Sequence, residues 1–286
     1  MKHSVVRLAG AVAGLVLLAG CDNAPTTPED LASSEVWLVD QSNSSGRNFG
    51  GTIHIFAGPD LAGENAASAA ATDVIDLSGA TAQLCMSNTG ANPVRPHMVL
   101  FNSTHSHAVL SFVASGHVVI FNAATRTPVS CLRTAAGAGG ARQAHAAVPS
   151  PDDSYILVAN QNGKLLERID TDYSRNSFTL NTAATLNLAT CTTPSGQPCE
   201  SAQLRPDNAP ICPIIGSNSR LGWVTLRGGG LFVVDPTQTP MRIVGEYDRA
   251  TVHPNGCGGI EASGRMYINS GGGTPSNQHE FDLYAF

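Results

Sequence analysis

The sequence predicts an all-β fold, a β-propeller of about five, or six, four-stranded antiparallel blades. Three observations predict it. Apolar residues almost nowhere recur at the helical period, and fall instead into runs of roughly four to seven residues bounded by Gly, Asn, Asp, Ser or Pro. Glycine hairpins recur at Gly46–Gly51, Ser115-Gly116, Asn162-Gly163, Gly228–Gly230 and Gly271–Gly273, at intervals of roughly 45 to 65 residues. Each hairpin joins a second strand to a third inside a repeated unit, and stacking such units radially buries both faces of every sheet. A two-sheet sandwich gives no reason for that recurrence.

The strands follow in order. Val36–Val39 and Thr52–Phe56 open the chain, and Asn65–Thr72, rich in alanine, reads as a single surface turn. Val99–Phe101, Ala108–Val113 and Val118–Phe121 form one unit, and Tyr155–Ala159 with Lys164–Ile169 form the next. Leu221–Leu226, Leu231–Val234 and Met241–Tyr247 make another, and Met266–Asn269 with Glu280–Tyr284 the last. The long intervals 51–115 and 163–228 leave room for a sixth, degenerate blade. The last unit stops after its third strand, and a strand from the N-terminal region could complete that sheet and close the ring.

Residues 1–20 read as an export signal: Lys2 and Arg7 precede an apolar run, Leu8–Ala19, that is short for a permanent span. Leu18-Ala19-Gly20-Cys21 resembles a bacterial lipoprotein cleavage box, which makes Cys21 the lipidated first residue of the mature chain; an ordinary signal peptide with a nearby cysteine is the alternative. Residues 21–34, polar and rich in Pro and Thr, read as a tether, and 35–286 as a single propeller domain. The expected location is therefore the cell envelope, facing the periplasm or the cell surface, with the membrane reached only through lipid.

Cysteine usage agrees with an oxidising compartment. Of 7 cysteines, those after Cys21 form an even set, which favours disulfides. Cys191 and Cys199 flank a short turn-rich loop and form the clearest pair. Cys85, Cys131, Cys212 and Cys257 could join as 85–131 and 212–257, which spacing alone leaves open. Removing Lys2 and Arg7 takes the formal charge from −6 to −8. With no basic cluster carrying interleaved aromatics, nucleic-acid binding is excluded as an expectation.

Arg95-Pro96-His97-Met98 and the stretch His145 to Asn160, with its Ser-Pro-Asp-Asp-Ser turn and Tyr-Ile-Leu-Val-Ala-Asn strand, resemble blades of the YVTN-type β-propeller superfamily. In that superfamily a His or Pro-His often precedes a strand and an SPDG-like turn leads into a YVAN-like one. Here Asp153 stands where the turn glycine is usual. The resemblance is strongest over residues 95–170 and weaker at 205–235. It implies a fold shared by lactonase-like enzymes, cytochrome-associated propellers, the copper-bearing domain of nitrous oxide reductase and surface proteins, and so implies no single chemistry. A CxxCH haem sequence and a cupredoxin-type Cys/Met/His stretch are both missing from this chain.

Aligned unit starts supply the candidate site. Arg95-Pro-His97, Arg142-Gln-Ala-His145, Arg205-Pro-Asp207-Asn208 with Cys212, and His253-Pro-Asn255 with Cys257 occupy matching places. Innermost strands surround a propeller axis, so His97, His145 and His253 are expected to converge, and three imidazoles plus water suit copper or zinc. The bland alternative is that each histidine bonds a neighbouring blade's backbone. His105 and His107 form a weaker His-x-His candidate, while His54, His117 and His279 fall on third strands, farther from the axis. Arg95, Arg142 and Arg205, with Asp207 and Asn208, could line a cationic mouth for a small anionic ligand, or pair between blades. Nucleophile elbow, Walker, dinucleotide and HExxH sequences do not occur.

The expected function is an envelope propeller binding a metal or small ligand at its axis, with oxidoreductase activity open to it. A non-enzymatic scaffold for an envelope protein partner is the alternative, and a lactonase-like hydrolase a third.

Overall fold

The computed structural model describes residues 34–271, apart from 63 and 65, and residues 282–286. The export signal, Cys21, nearly all of the tether and His279 lie outside the described residues. The described residues fall into two compact units, one including 34–36 and 56–70 and one including 37–55, 71–271 and 282–286. Within the first, a short helix, α1 (Gly58–Ala62), is followed by a 3-10 turn at Ala66–Ser68, and the Gly58 amide donates to Ser34 O at 2.8 Å. The second unit carries the propeller.

Five sheets succeed one another along the chain, three of four strands and two of three. The first contains β1 (Glu35–Asp40), β2 (Thr52–Ala57) and β3 (Asp73–Asp76). The second contains β4 (Pro96–Phe101), β5 (His107–Phe112), β6 (His117–Asn122) and β7 (Thr127–Arg133). The third contains β8 (Ala144–Pro149), β9 (Tyr155–Asn160), β10 (Leu165–Asp172) and β11 (Ser177–Asn187). The fourth contains β12 (Pro210–Ile215), β13 (Gly222–Leu226), β14 (Leu231–Asp235) and β15 (Arg242–Tyr247). The fifth contains β16 (Gly259–Ala262), β17 (Arg265–Asn269) and β18 (Leu283–Ala285).

Two expectations are corrected. Among the described residues no sixth sheet forms. The 51–115 interval is taken up by β3 and by a helix, α2 (Ala80–Thr89), and the 163–228 interval by the long strand β11 and the Cys191–Cys199 loop. The N-terminal strand Glu35–Asp40 joins β2 in the first sheet, so the fifth sheet keeps three described strands.

Strand alternation explains the stacking. On β5, Ala108, Leu110 and Phe112 pack with Ile53 and Ile55 of the first sheet, whereas Val109 packs with Ile156 and Val158 of the third. On β9 the odd positions Tyr155 and Leu157 face Val224, Phe232 and Val234 of the fourth sheet. Leu231 of β14 then meets Met266 and Ile268 of the fifth. A period of two sends successive side chains to opposite neighbours, so β5 and β9 read as largely apolar runs and are buried at every position.

The turn between the first and second strands repeats with atomic regularity. His105, Asp153, Ser219 and Ser263 take left-handed backbone angles in four successive sheets, with φ of 55°, 58°, 58° and 51°. At Asp153 aspartate tolerates this conformation and gains partners across the blade boundary. Its carboxylate accepts from the Ser103 amide at 2.9 Å, the Ser103 hydroxyl at 2.8 Å and the Asn102 amide at 3.0 Å. Further round, the Tyr155 hydroxyl donates to Ser219 O at 2.7 Å and the Ser217 amide to Glu261 at 2.7 Å. Three disulfides, Cys85–Cys131, Cys191–Cys199 and Cys212–Cys257, complete the framework. The first ties α2 to β7, and Gly90, in the left-handed C-cap conformation, ends that helix.

Candidate axial site

The inner strands of the three four-stranded sheets each carry one residue too many. On β4, Pro96 pairs with Phe112 and Val99 with Leu110, so His97 and Met98 face Ser111 alone. On β8, Ala144 pairs with Asn160 and Ala146 with Ala159, leaving His145 unpaired between them. On β12, Pro210 pairs with Leu226 and Pro213 with Val224, so Ile211 and Cys212 face Thr225 alone. Such bulges free a side chain from the ladder and re-aim it. The backbone groups they strand find hydroxyl partners. Ser111 donates to His145 O at 3.1 Å, and Thr225 accepts from the Cys212 amide at 3.3 Å.

The released side chains meet where the inner strands adjoin. The rings of His97 and His145 stand edge to face with centroids 4.6 Å apart. Gln41, in the turn after β1, places its amide nitrogen 2.8 Å from His97 Nδ1. On the other side, His145 Nδ1 lies 3.0 Å from Ile211 O and 4.0 Å from Cys212 Sγ, and Cys212 is bonded to Cys257. An unbroken chain of contacts thus takes one residue from each sheet or its leading loop: Gln41, His97, His145, Cys212, Cys257. One ring nitrogen of His145 and the two sulfurs all lie within 4.8 Å of one another.

Electrostatics keep the imidazoles neutral. Burial, then the His97 ring beside it, lowers His145 to about 4, against the opposing hydrogen bond to Ile211. Burial and the Arg95 charge lower His97 as well. Ile211 O can only accept, so His145 carries its proton on Nδ1 and presents the Nε2 lone pair. Gln41 donates to His97 Nδ1 in the observed orientation; a half-turn of its amide would let Nδ1–H donate and free Nε2 for a ligand.

The other predicted residues go elsewhere. His253 is exposed, with Nδ1 2.5 Å from Asp282 and its amide bonded to the Tyr284 hydroxyl. The left-handed turn at Asn255, φ 63°, separates it from Cys257, the residue of that segment that reaches the axis. His105 occupies the left-handed turn, so the alternation that would set it beside His107 is broken. His107 is instead buried between Ser106 and Asn176. His54 bonds Thr52, and buried His117 links Ser115 to Thr89 of α2.

The arginines do not share one funnel. Exposed Arg95 reaches Gln41 Oε1 at 3.5 Å, beside the imidazoles. Arg142 is bonded to Thr134 O. Arg205, 2% exposed, braces Cys199 O and Glu246 and lies over the Phe232 ring. Asp207 pairs with Arg227 at 2.5 Å, and Asn208 donates to Leu188 O at 2.6 Å. Gln41 carried no recognisable sequence signal: it follows its strand rather than opening one. Cys212 and Cys257 did align with the histidines, and geometry now shows why.

No family model matches the sequence, and no curated protein does. Solved structures match in fold. A 6-phosphogluconolactonase-like protein of Bacteroides uniformis superposes with a TM-score of 0.57 at 12% identity, over 88% of this chain and 64% of its own. The periplasmic gluconolactonase of Pseudomonas aeruginosa gives 0.56 at 12% identity, over 90% and 70%. A β-propeller domain of the Myceliophteria thermophila protein Cps50 gives 0.50 at 7%, over 88% and 74%. This chain spans 64% of the length of the Bacteroides uniformis protein. At these identities the likeness is one of architecture, and the architecture is the β-propeller.

Proposed function

We propose that the protein is an exported, lipid-anchored β-propeller that binds one copper or zinc ion at its axis. The observation that carries the reading is the His97–His145 pair, two neutral imidazoles presented by bulges on adjacent inner strands, 4.6 Å apart. Neutral nitrogen donors suit both ions, and a copper ion would add one-electron chemistry. Arg95 beside Gln41 offers a cation to a small anionic ligand of that ion. The three disulfides support an oxidising compartment, and the sequence at Cys21 supports a lipid anchor.

Elemental mass spectrometry on the air-oxidised full chain, equilibrated with copper or zinc and desalted, tests the reading. The expected result is near-stoichiometric metal, lost in His97→Ala or His145→Ala chains that stay folded. No retained metal would overturn it and leave an envelope interaction scaffold in its place. Incorporation of labelled palmitate, abolished by Cys21→Ala, tests the anchor.

A lactone hydrolase is the second reading, favoured by the enzymes named among the fold neighbours. His145, lowered to about 4, is a weak general base at neutral pH, so hydrolysis would rely on a metal-activated water. Hydrolysis of gluconolactone that disappears with the metal would support this branch; metal binding without hydrolysis would remove it.

A further inference from the structure

The Cys212–Cys257 disulfide differs in position from the other two. Cys85 and Cys131 are both buried, and Cys199 is buried with Cys191 half-buried. Cys257 is exposed, while its partner Cys212 is buried against His145. One sulfur therefore belongs to a residue open to solvent, and the other sits inside the axial cluster. The bond also joins the inner strand of the fourth sheet to the loop leading into the fifth.

We infer that this disulfide is a redox gate on the axial site: a dithiol opens it, and the two thiolates then join His145 around a single soft metal ion. The inference rests on the axial metal reading and extends it. Exchange proceeds in two balanced displacements. One thiolate of the dithiol bonds to Cys257 Sγ, the Cys212–Cys257 bond breaks, and its electron pair leaves on Cys212 Sγ. The second thiolate attacks the mixed disulfide, closes the dithiol into its own disulfide and releases Cys257 as a thiolate. The dithiol loses two electrons and the protein gains them; its two protons pass to the new thiols or to solvent.

The donors are then two sulfurs and the His145 imidazole, with a fourth position for water, a set that suits tetrahedral zinc and, through its thiolates, cuprous copper. Metal entry displaces the thiol protons, so binding is coupled to their release. Two features already in place make the change local. One His145 nitrogen and both sulfurs lie within 4.8 Å of one another before reduction; the nitrogen 4.0 Å from Cys212 Sγ is Nδ1, so metal binding there moves its proton from the Ile211 O contact to Nε2. Cys212 lies on a bulge whose amide is already satisfied by Thr225, so its side chain can turn without breaking the ladder.

The test uses the full chain and zinc alone, with affinity measured before and after dithiothreitol treatment and anaerobic desalting. Reduction is expected to tighten zinc binding at least tenfold. The gain should be absent from a Cys212→Ser/Cys257→Ser chain reduced in the same way, where the other two disulfides serve as internal control. Cobalt in place of zinc should show a thiolate-to-metal charge-transfer band only in the reduced wild type. Should the double variant not fold, alkylation mapping of the wild type decides: zinc should protect Cys212 and Cys257, and no other cysteine, from modification. Equal zinc affinity in the two redox states, or unprotected Cys257, would overturn the gate. The two readings fail separately. Lost binding in the oxidised chain with the reduced gain intact removes only the imidazole-pair reading, and the converse removes only the gate.

Discussion

Acid should loosen this fold in a window set by buried histidine, and His117 gives the cleanest case. Its side chain is fully enclosed, with Nδ1 2.9 Å from the Ser115 hydroxyl and Nε2 2.8 Å from the Thr89 hydroxyl, which couples α2 to the second sheet. Burial, reinforced by the charges of Arg133 and Arg142, lowers its pKa from 6.5 to about 4. The unfolded chain therefore binds a proton in this interval that the folded chain refuses. Stability rises with pH across the window, is complete above 6.5, and is lost as pH falls towards 4. Between pH 7.5 and 4.5 the linkage amounts to about 2.5 kcal/mol. The carboxylates lowered below 3.8, such as Asp73 and Asp76, act at more acid pH and do not confuse the interval. Buried Glu167 is raised and opposes the slope, while His97 and His145 add to it. Those contributions cancel when the wild type is compared with His117→Gln, which keeps polar atoms for both hydroxyls but cannot titrate. Urea midpoints at the two pH values should show the wild type losing about 2.5 kcal/mol more than the variant. Parallel pH profiles would refute the assignment of the strain to His117.

Three further outcomes are expected. Phe112→Ala, at the contact between the first and second sheets, should cost about 3–5 kcal/mol in denaturant unfolding because the side chain is fully buried and the sheets on either side cannot collapse into the void. Asp153→Ala should cost roughly 1–3 kcal/mol, since it removes the acceptor for Ser103 and Asn102 and leaves alanine at a left-handed angle without the hydrogen bonds that offset it; a loss below about 0.5 kcal/mol would show that the inter-blade bonds add nothing net. Zinc or copper loaded on the oxidised protein should stay bound well below pH 6.5, because protons compete for His145 only near its value of about 4; release already complete at about pH 6 would refute the assignment of the ion to His145.

Much of the architecture was legible because a blade's middle strands are buried on both faces. The runs in β5, β6, β9 and β14 stand out for that reason, and the turn glycines between them set the repeat. The outer strands β7 and β11 expose one face and alternate apolar with Ser, Thr and Asn, so they resembled loops. The inner strands β8 and β12 were hidden by small residues and prolines, and by the bulges that interrupt their period. The helix α2 has little amphipathic pattern; it buries Thr81, Ala82 and Cys85 and is tied by the Cys85–Cys131 bond and by His117. At the site, the repeated placement of His97 and His145 could be read directly. The departure of His253 could not, since it depends on one left-handed residue, Asn255, that redirects the chain.

The bulges in β4, β8 and β12 separate two kinds of selection. A residue paired in the ladder must fit the pleat and the neighbouring blade, so its replacement is judged by packing. The surplus residue is free of the ladder's pairing, and its backbone is tended by Ser111 or Thr225, whatever side chain it bears. Each bulge is therefore an interchangeable socket. Carboxylates at positions 97 and 145 would make the same cavity a site for hard cations, and aromatic residues would make it a stacking platform, with the five sheets unaltered. One architecture can in this way change its chemistry by single substitutions, which is a physical reason why a shared propeller fold predicts so little about what lies at its centre.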